Sequence, residues 1–322
     1  MAGLSLLIAL LATTWVLLSG PRLLAAQDGE SLALSVTMTT HPEQSFVRDM
    51  DGLEVGFGRM EAGASAYGKA VRVELLRHIE YRRGSGPLAG FFTLSWERGD
   101  VLALRYRGET FQSPDGTATI DGTLEVVGGV GKYARATGHG VVHGFRSGRV
   151  GNAVVYTLHV EVEQPEPRSP ASVPIAPTPA AKPVPNGRGW EVALDSKPGQ
   201  RFFHDVGALR DVRYGSGLWL GSTRWKGNAV AVELVGLLEC RDGNGPFSGF
   251  LVLESPDGSA MLCRCSGTTF CQPKGGTSIH CNLEVIHGSG RWASSRASGT
   301  LVAGSPGDAD GTLSAHVDLN LD

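Results

Sequence analysis

The chain has 322 residues, a net charge of −3 and 19% charged residues. That balance excludes the strongly basic footprint of a nucleic-acid or anionic-membrane binder. A hydrophobic content of 41% is enough for packed cores and excludes wholesale disorder. Glycine is abundant, at 45 residues, and the apolar residues are mostly Val and Leu in short runs, which favours many short strands with tight turns over helices.

In chain order, residues 1–26 stand apart. Leu4 to Leu18 is an apolar run broken by Ser5 and Thr13-Thr14, followed by Pro21 and a small-residue exit at Ala25-Ala26. This reads as a secretory signal peptide. The uncleaved alternative is a signal anchor, for which the run is short against the roughly 20 residues of a full span. Removal of this segment leaves a secreted or periplasmic protein with no further membrane span.

The first domain spans residues 27–163. Val71, Val73, Leu75, Ile79 and Tyr81 alternate with Arg72, Glu74, His78, Glu80 and Arg82, the period of two of a strand with one apolar face. A Gly-Pro turn follows, then predicted strands at Phe91–Trp96, Val101–Arg107, Thr119–Val127, Gly140–Phe145 and Val154–Val162. Residues 164–186 carry a proline every few positions, from Pro165 to Pro185. Such density cannot build a sheet or helix interior and reads as a semi-rigid spacer. The second domain, residues 187–322, repeats the first at an offset of 159. Gly84, Gly86, Pro87, Gly90 and Phe91 match Gly243, Gly245, Pro246, Gly249 and Phe250, and Leu124-Glu125-Val126 matches Leu283-Glu284-Val285. A repeat this long is a duplicated domain rather than a solenoid unit. Short strands at regular spacing predict an all-β protein with two tandem antiparallel sandwiches or closed up-and-down barrels.

The segment Leu124-Glu125-Val126 with Gly129-Val130-Gly131-Lys132-Tyr133-Ala134, then Gly138 and Gly140, resembles the allene oxide cyclase/dirigent-type barrel. In that family a "GGxGxFxGAxGxG" turn joins two late strands. Copy two has Gly288-Ser289-Gly290-Arg291-Trp292-Ala293, then Gly299. The resemblance implies a calycin-like barrel of eight antiparallel strands. It also implies a small apolar ligand inside, or cofactor-independent cyclase or isomerase chemistry, and it carries over no catalytic residue. The same glycines spell GxGxxA, but a dinucleotide site needs a helix next, and here a strand-like segment follows.

The charges kept in both copies are Glu74/Glu233, Glu80/Glu239, Arg82/Arg241, Arg105/Arg264 and Glu125/Glu284. They lie on the outer phase of their strands and are expected to form cross-strand ion pairs on a wet surface. Thr157-Leu158-His159-Val160-Glu161 is echoed by Ser314-Ala315-His316-Val317-Asp318, so each His shares a face with an acid two residues on. A His–acid base is one reading and an exposed polar face the other. His139 and His143 also share a face, but four strand residues put them about 13 Å apart, too far for one zinc ion. No metal and no cofactor is expected.

The inward phase of copy one carries Arg77, Tyr81 and Tyr106 where copy two has Gly236, Cys240 and Cys265. A buried arginine is costly unless paired or facing a ligand, and tyrosines supply amphipathic walls with hydroxyl handles. These three are the candidate ligand-binding residues; the alternative is that they fill core. The cysteines Cys240, Cys263, Cys265, Cys271 and Cys281 all lie in copy two. Cys271 and Cys281 are expected to pair across a hairpin centred near Gly276, and Cys240 with Cys263 or Cys265, leaving one thiol over. Three functions remain open: an exported binder of a small apolar molecule, a cofactor-independent cyclase or isomerase, and a non-catalytic envelope or matrix protein. The repeat offers two covalently joined barrels in place of a homodimer, and the oligomeric state stays open.

Overall fold

The computed structural model describes residues 29–148, 152–164, 189–208, 211–271, 276–305 and 311–321. The proposed signal segment and most of the proline-rich spacer lie outside these residues. Among the described residues the elements are strands and two single-turn 3-10 helices, and no helix is long and apolar enough to cross a membrane.

Copy one contributes β1 (Gly29–Met50), β2 (Leu53–Ala66), β3 (Lys69–Arg82), β4 (Gly86–Trp96), β5 (Val101–Gln112), β6 (Ala118–Val130), β7 (Thr137–Arg146) and β8 (Val154–Glu163). Copy two contributes β9 (Trp190–Val206), β10 (Val212–Trp225), β11 (Asn228–Arg241), β12 (Asn244–Glu254), β13 (Ala260–Cys271), β14 (Thr277–Gly288), β15 (Ala297–Ser305) and β16 (Leu313–Leu321). Each set closes into an eight-stranded barrel in which chain neighbours pair antiparallel and the last strand returns to the first. Closure leaves no unpaired sheet edge. The expected tandem of up-and-down barrels is therefore the observed fold.

The alternating phase places Leu32, Leu34, Val36 and Met38 of β1 inside barrel 1 beside Val71, Val73 and Leu75 of β3. Glycines retained in both copies sit where strands approach closely. A Cβ on Gly90 would lie 1.9 Å from the Leu76 carbonyl oxygen, and one on Gly249 would lie 2.1 Å from that of Val235. The Gly131–Tyr133 and Gly290–Trp292 segments are single 3-10 turns running into β7 and β15, not the α-helix that a dinucleotide site needs. Their first glycines take φ of +65° and +57°, conformations that tax any residue with a Cβ. This geometry removes the dinucleotide reading.

Two strands escaped the sequence reading, β1 and β2, together with their counterparts β9 and β10. Both first strands bulge: the pairing of β1 with β2 shifts between Thr40 and Ser45, and that of β9 with β10 shifts between Gly217 and Trp219. A proline lies within each irregularity, Pro42 and Pro198, and proline is tolerated in a sheet where ladder bonds are already broken. The extra residues change the phase and hide a single long strand.

The barrels pack wall against wall through a pseudo-twofold contact. Arg105 reaches across with a fork onto Glu239, at 2.7 Å (Nε–Oε2) and 2.5 Å (Nη2–Oε1). Its counterpart Arg264 does the same to Glu80, at 2.9 Å and 2.5 Å. These are the same two residues in each copy with roles exchanged, the signature of an isologous interface. A second reciprocal set joins Arg48 to Glu233 at 2.6 Å and His204, which holds the matching place on β9, to Glu74 at 2.6 Å. Between them lies an apolar seam from both copies, including Leu53, Val55, Phe57 and Leu76 against Leu218, Val235, Phe250 and Leu262. The expectation of ion pairs on a wet surface is corrected here. Cross-strand pairs do exist, Arg105–Glu125 at 2.6 Å and Arg264–Glu284 at 2.8 Å. However, the same arginines also bridge the barrels, and Glu239 is only 3% exposed. Arg241 donates to the Val127 carbonyl across the seam, while Arg82 stays exposed.

At the heart of the seam His78 stacks on Phe250 at 6.4 Å and pairs with the Ser216 hydroxyl at 3.1 Å. Burial pushes His78 down to about 3, so it is neutral in the fold. Burial alone would raise Glu74, but His204 and Arg59 outweigh it and hold that carboxyl below its ordinary range.

Two outcomes follow from this interface. Glu239→Ala leaves Arg105 without its buried partner and should cost about 3 kcal/mol in denaturant unfolding, with Glu80→Ala costing less because the Arg264 side chain is 41% exposed and screened by water. His78 binds a proton in the unfolded chain below pH 6.5 but not in the fold until about 3. The fold should therefore lose up to about 1.4 kcal/mol per pH unit from this group as pH falls through that window. His78→Leu, which copies Leu237, should flatten the stability–pH slope between pH 6 and 4 by about that amount; an unchanged slope contradicts the assignment.

Candidate functional site: the polar centre of barrel 1

Arg77, on β3, points into barrel 1 and is 4% exposed. Its register partners are Gly58 on β2 and Gly90 on β4, so both flanking walls lack side chains and leave room for the guanidinium. Nη2 donates to Thr40 Oγ1 at 3.1 Å, and Nη1 has no partner. The Tyr156 hydroxyl lies beside the guanidinium, with Tyr81 and Tyr106 close by. Tyr81 accepts a hydrogen bond from Thr110 at 2.9 Å, whereas the Tyr106 hydroxyl is buried without a partner and that of Tyr156 meets only the Arg77 guanidinium. The three predicted residues Arg77, Tyr81 and Tyr106 are thus brought together inside one barrel.

Further members went unread in the sequence. Tyr156, on β8, has the right inward phase. Arg146, at the end of β7, is 1% exposed; its Nε donates to the Gly148 carbonyl at 3.0 Å and its Nη2 is unpartnered. Glu54, on β2 opposite Tyr81, keeps one buried oxygen unpartnered. Only the alternating phase could have revealed them, and for Arg146 and Glu54 strand ends blur that phase.

The electrostatics are one-sided. Burial, reinforced by neighbouring tyrosines, raises Tyr106 far above the ordinary range against the pull of Arg77. Burial likewise raises Tyr156. Both are therefore neutral hydroxyls with a proton to donate. Burial, and then the like charge of Arg77, disfavour the charge on Arg146. Burial, and then Asp49, raise Glu54 above the usual carboxylate range, with Arg146 opposing.

Barrel 2 fills the matching volume with apolar groups. Gly236 stands where Arg77 does, and a Cβ there would lie 2.3 Å from the Phe247 ring, which occupies that space. Trp219, fully buried, stands at the Met60 position. The pair Tyr81–Thr110 has its counterpart in Cys240 and Thr269, and Cys240 is bridged to Cys271, with Cα atoms 6.2 Å apart.

That bridge corrects the expected cysteine pairings. Cys271 stands opposite Thr277, not Cys281, because the β13–β14 hairpin turns earlier than Gly276; Cys281 faces Gly267 instead. Cys240 does not reach Cys263 or Cys265, which lie further along β13 with β12 in between; it meets Cys271 at the start of β12. Cys263, Cys265 and Cys281 are buried free thiols. Burial pushes Cys263 up to about 12, and burial followed by Cys281 raises Cys265, so these thiols are inert packing groups.

The histidine–acid expectation is also redrawn. His316 Nδ1 pairs with Glu191 on the adjacent β9 at 2.6 Å rather than with Asp318, and Glu161 accepts from Ser31. His143 pairs with Asp121 at 2.6 Å on the outer wall. Among the described residues no group of three or more His, Cys, Asp or Glu is placed to hold a metal ion.

Comparison with protein-family models, curated protein sequences and solved structures finds no match to this chain. Its function must therefore be argued from the site itself.

Cys240→Ser removes a closed loop of 31 residues and should cost about 3 to 4 kcal/mol of stability. Cys263→Ala should have no disulfide component, and its loss should be of the size expected for a small cavity. Equal stabilities of reduced and oxidised wild-type protein would contradict the bridge.

Proposed function

We propose that barrel 1 is the ligand-binding barrel of an exported protein and receives a small, mostly apolar molecule by its polar end. Barrel 2 acts as a stapled, apolar-filled brace. The observation that carries this reading is the Arg77 guanidinium, buried with an unpartnered nitrogen beside the Tyr156 hydroxyl and the unpartnered hydroxyl of Tyr106. Leaving such groups unsatisfied costs several kcal/mol, and in barrel 2 the same fold closes with Gly236, Cys265 and Ala315 in those places. A cost that the fold does not require points to a ligand.

The resemblance of the Gly129–Ala134 turn to the allene oxide cyclase/dirigent-type barrel supports the same reading, as do the eight-stranded barrels. A cofactor-independent cyclase or isomerase is the catalytic form of this proposal, with Arg77 and the tyrosine hydroxyls polarising a carbonyl or an epoxide oxygen. Export is supported by the apolar run at Leu4–Leu18 and by the Cys240–Cys271 bridge, since such bridges persist in oxidising compartments.

Native mass spectrometry of the protein purified from its own host tests the proposal. The expected result is a co-purifying mass of a few hundred daltons that disappears in Arg77→Met, together with a mass deficit of two hydrogens and an absent N-terminal segment. A bare mass for the wild type, unchanged by incubation with lipid extracts, would favour the non-catalytic envelope or matrix reading.

A further inference from the structure

The groups at the centre of barrel 1 are donors in excess of acceptors. Arg77 Nη1, Arg146 Nη2 and the Tyr106 hydroxyl are buried without partners, and the Tyr156 hydroxyl meets only Arg77, which leaves its proton to donate. Arginine only donates, and a tyrosine hydroxyl beside a guanidinium offers its proton outward. The charges tell the same story. Two guanidiniums, Arg77 and Arg146, face inward at this end of the barrel, near enough to repel. Against them stands one carboxylate with a buried oxygen, Glu54, close to Arg146 but forming no ion pair within 4 Å; Asp49 beside it is exposed and accepts from the Gly52 N–H. The enclosed sum is one positive charge in excess.

A neutral alcohol or ketone would accept the hydrogen bonds but leave that charge uncompensated. A dianion such as a phosphate monoester would overshoot it. A monoanion with two acceptor oxygens meets both counts, because charge-assisted bonds from a guanidinium fork onto a carboxylate are the strongest available. We infer that the polar end of the barrel 1 ligand is a carboxylate, received by Arg77 with the Tyr106 and Tyr156 hydroxyls and shadowed by Arg146. The inference rests on the reading of barrel 1 as a ligand barrel and narrows its ligand class to apolar monocarboxylic acids. Barrel 2, with Gly236, Cys265 and Ala315 at the matching places, has no such centre and no preference for acids.

The test is isothermal titration of the full chain with a matched pair of probes, decanoate and decanol, at pH 7.5. Decanoate should bind at least tenfold more tightly than decanol. Arg77→Met should abolish that ratio, weakening decanoate far more than decanol. Tyr156→Phe should weaken decanoate alone by roughly three- to tenfold, and it provides a second variant if Arg77→Met does not fold. Equal affinities for the two probes, with a ratio untouched in both variants, would overturn the carboxylate assignment and leave the ligand-barrel reading standing. Failure of both probes to bind would overturn the ligand-barrel reading and the assignment with it.

Discussion

The reciprocal guanidinium–carboxylate forks between the barrels are the constraint on which the rest of this structure depends. Arg105 on Glu239 and Arg264 on Glu80 tie the wall of each barrel to the wall of the other, so strands β2 to β5 and β10 to β13 are covered on both faces. That is why β3 and β11 are buried along most of their length instead of alternating between core and water. Glu80 and Arg105, with their counterparts in copy two, were therefore retained because each copy presents the same patch to its twin. The pairs are partly desolvated and anchored by an apolar seam, which makes them worth more than exposed ion pairs. A duplication has in effect fused an isologous dimer into one chain.

With the second barrel supporting its outer wall, barrel 1 can carry a costly interior. Arg77, Arg146, Tyr106 and Tyr156 leave buried polar atoms unsatisfied, and unsatisfied polar atoms destabilise any small fold. Barrel 2 carries a more apolar inventory, with Phe247, three buried thiols, the Cys240–Cys271 bridge and Trp219, whose indole N–H is also buried without a partner. The division of labour is asymmetric across a symmetric interface. The same asymmetry touches the seam, where His78 faces Ser216 while the matching positions in the other copy, Leu237 and Phe57, are apolar.

Much of this was legible in the residues. The period of two from Val71 to Tyr81 placed β3, and the 159-residue offset predicted a second copy of the same barrel. Arg77, Tyr81 and Tyr106 were readable as inward groups because their phase and their replacement in copy two could be compared within one molecule. What could not be read were contacts between elements with no fixed sequence relation. Glu80 and Arg264 are 184 residues apart, and an outward charge looks the same whether it meets water or another barrel. The bulge around Pro42 broke the alternation that would have announced β1 and β2. Cys271 and Cys281 look symmetric about Gly276, yet the β13–β14 register is set by ladder pairing and is centred two residues sooner. Local spacing could not report that shift.

The account stands or falls on the two barrels behaving as one cooperative body. Four of the six tryptophans, Trp190, Trp219, Trp225 and Trp292, lie in barrel 2, and Trp96 is the one tryptophan among the described residues of barrel 1. Guanidinium unfolding of a Trp96→Phe variant, followed by tryptophan emission for barrel 2 and by amide exchange of β3 to β8 peptides for barrel 1, reports each barrel separately. The predicted result is a single coincident transition, which splits into two when Glu80 and Glu239 are both replaced by alanine. Two separate transitions in the parent, unmoved by those replacements, would contradict the fused interface.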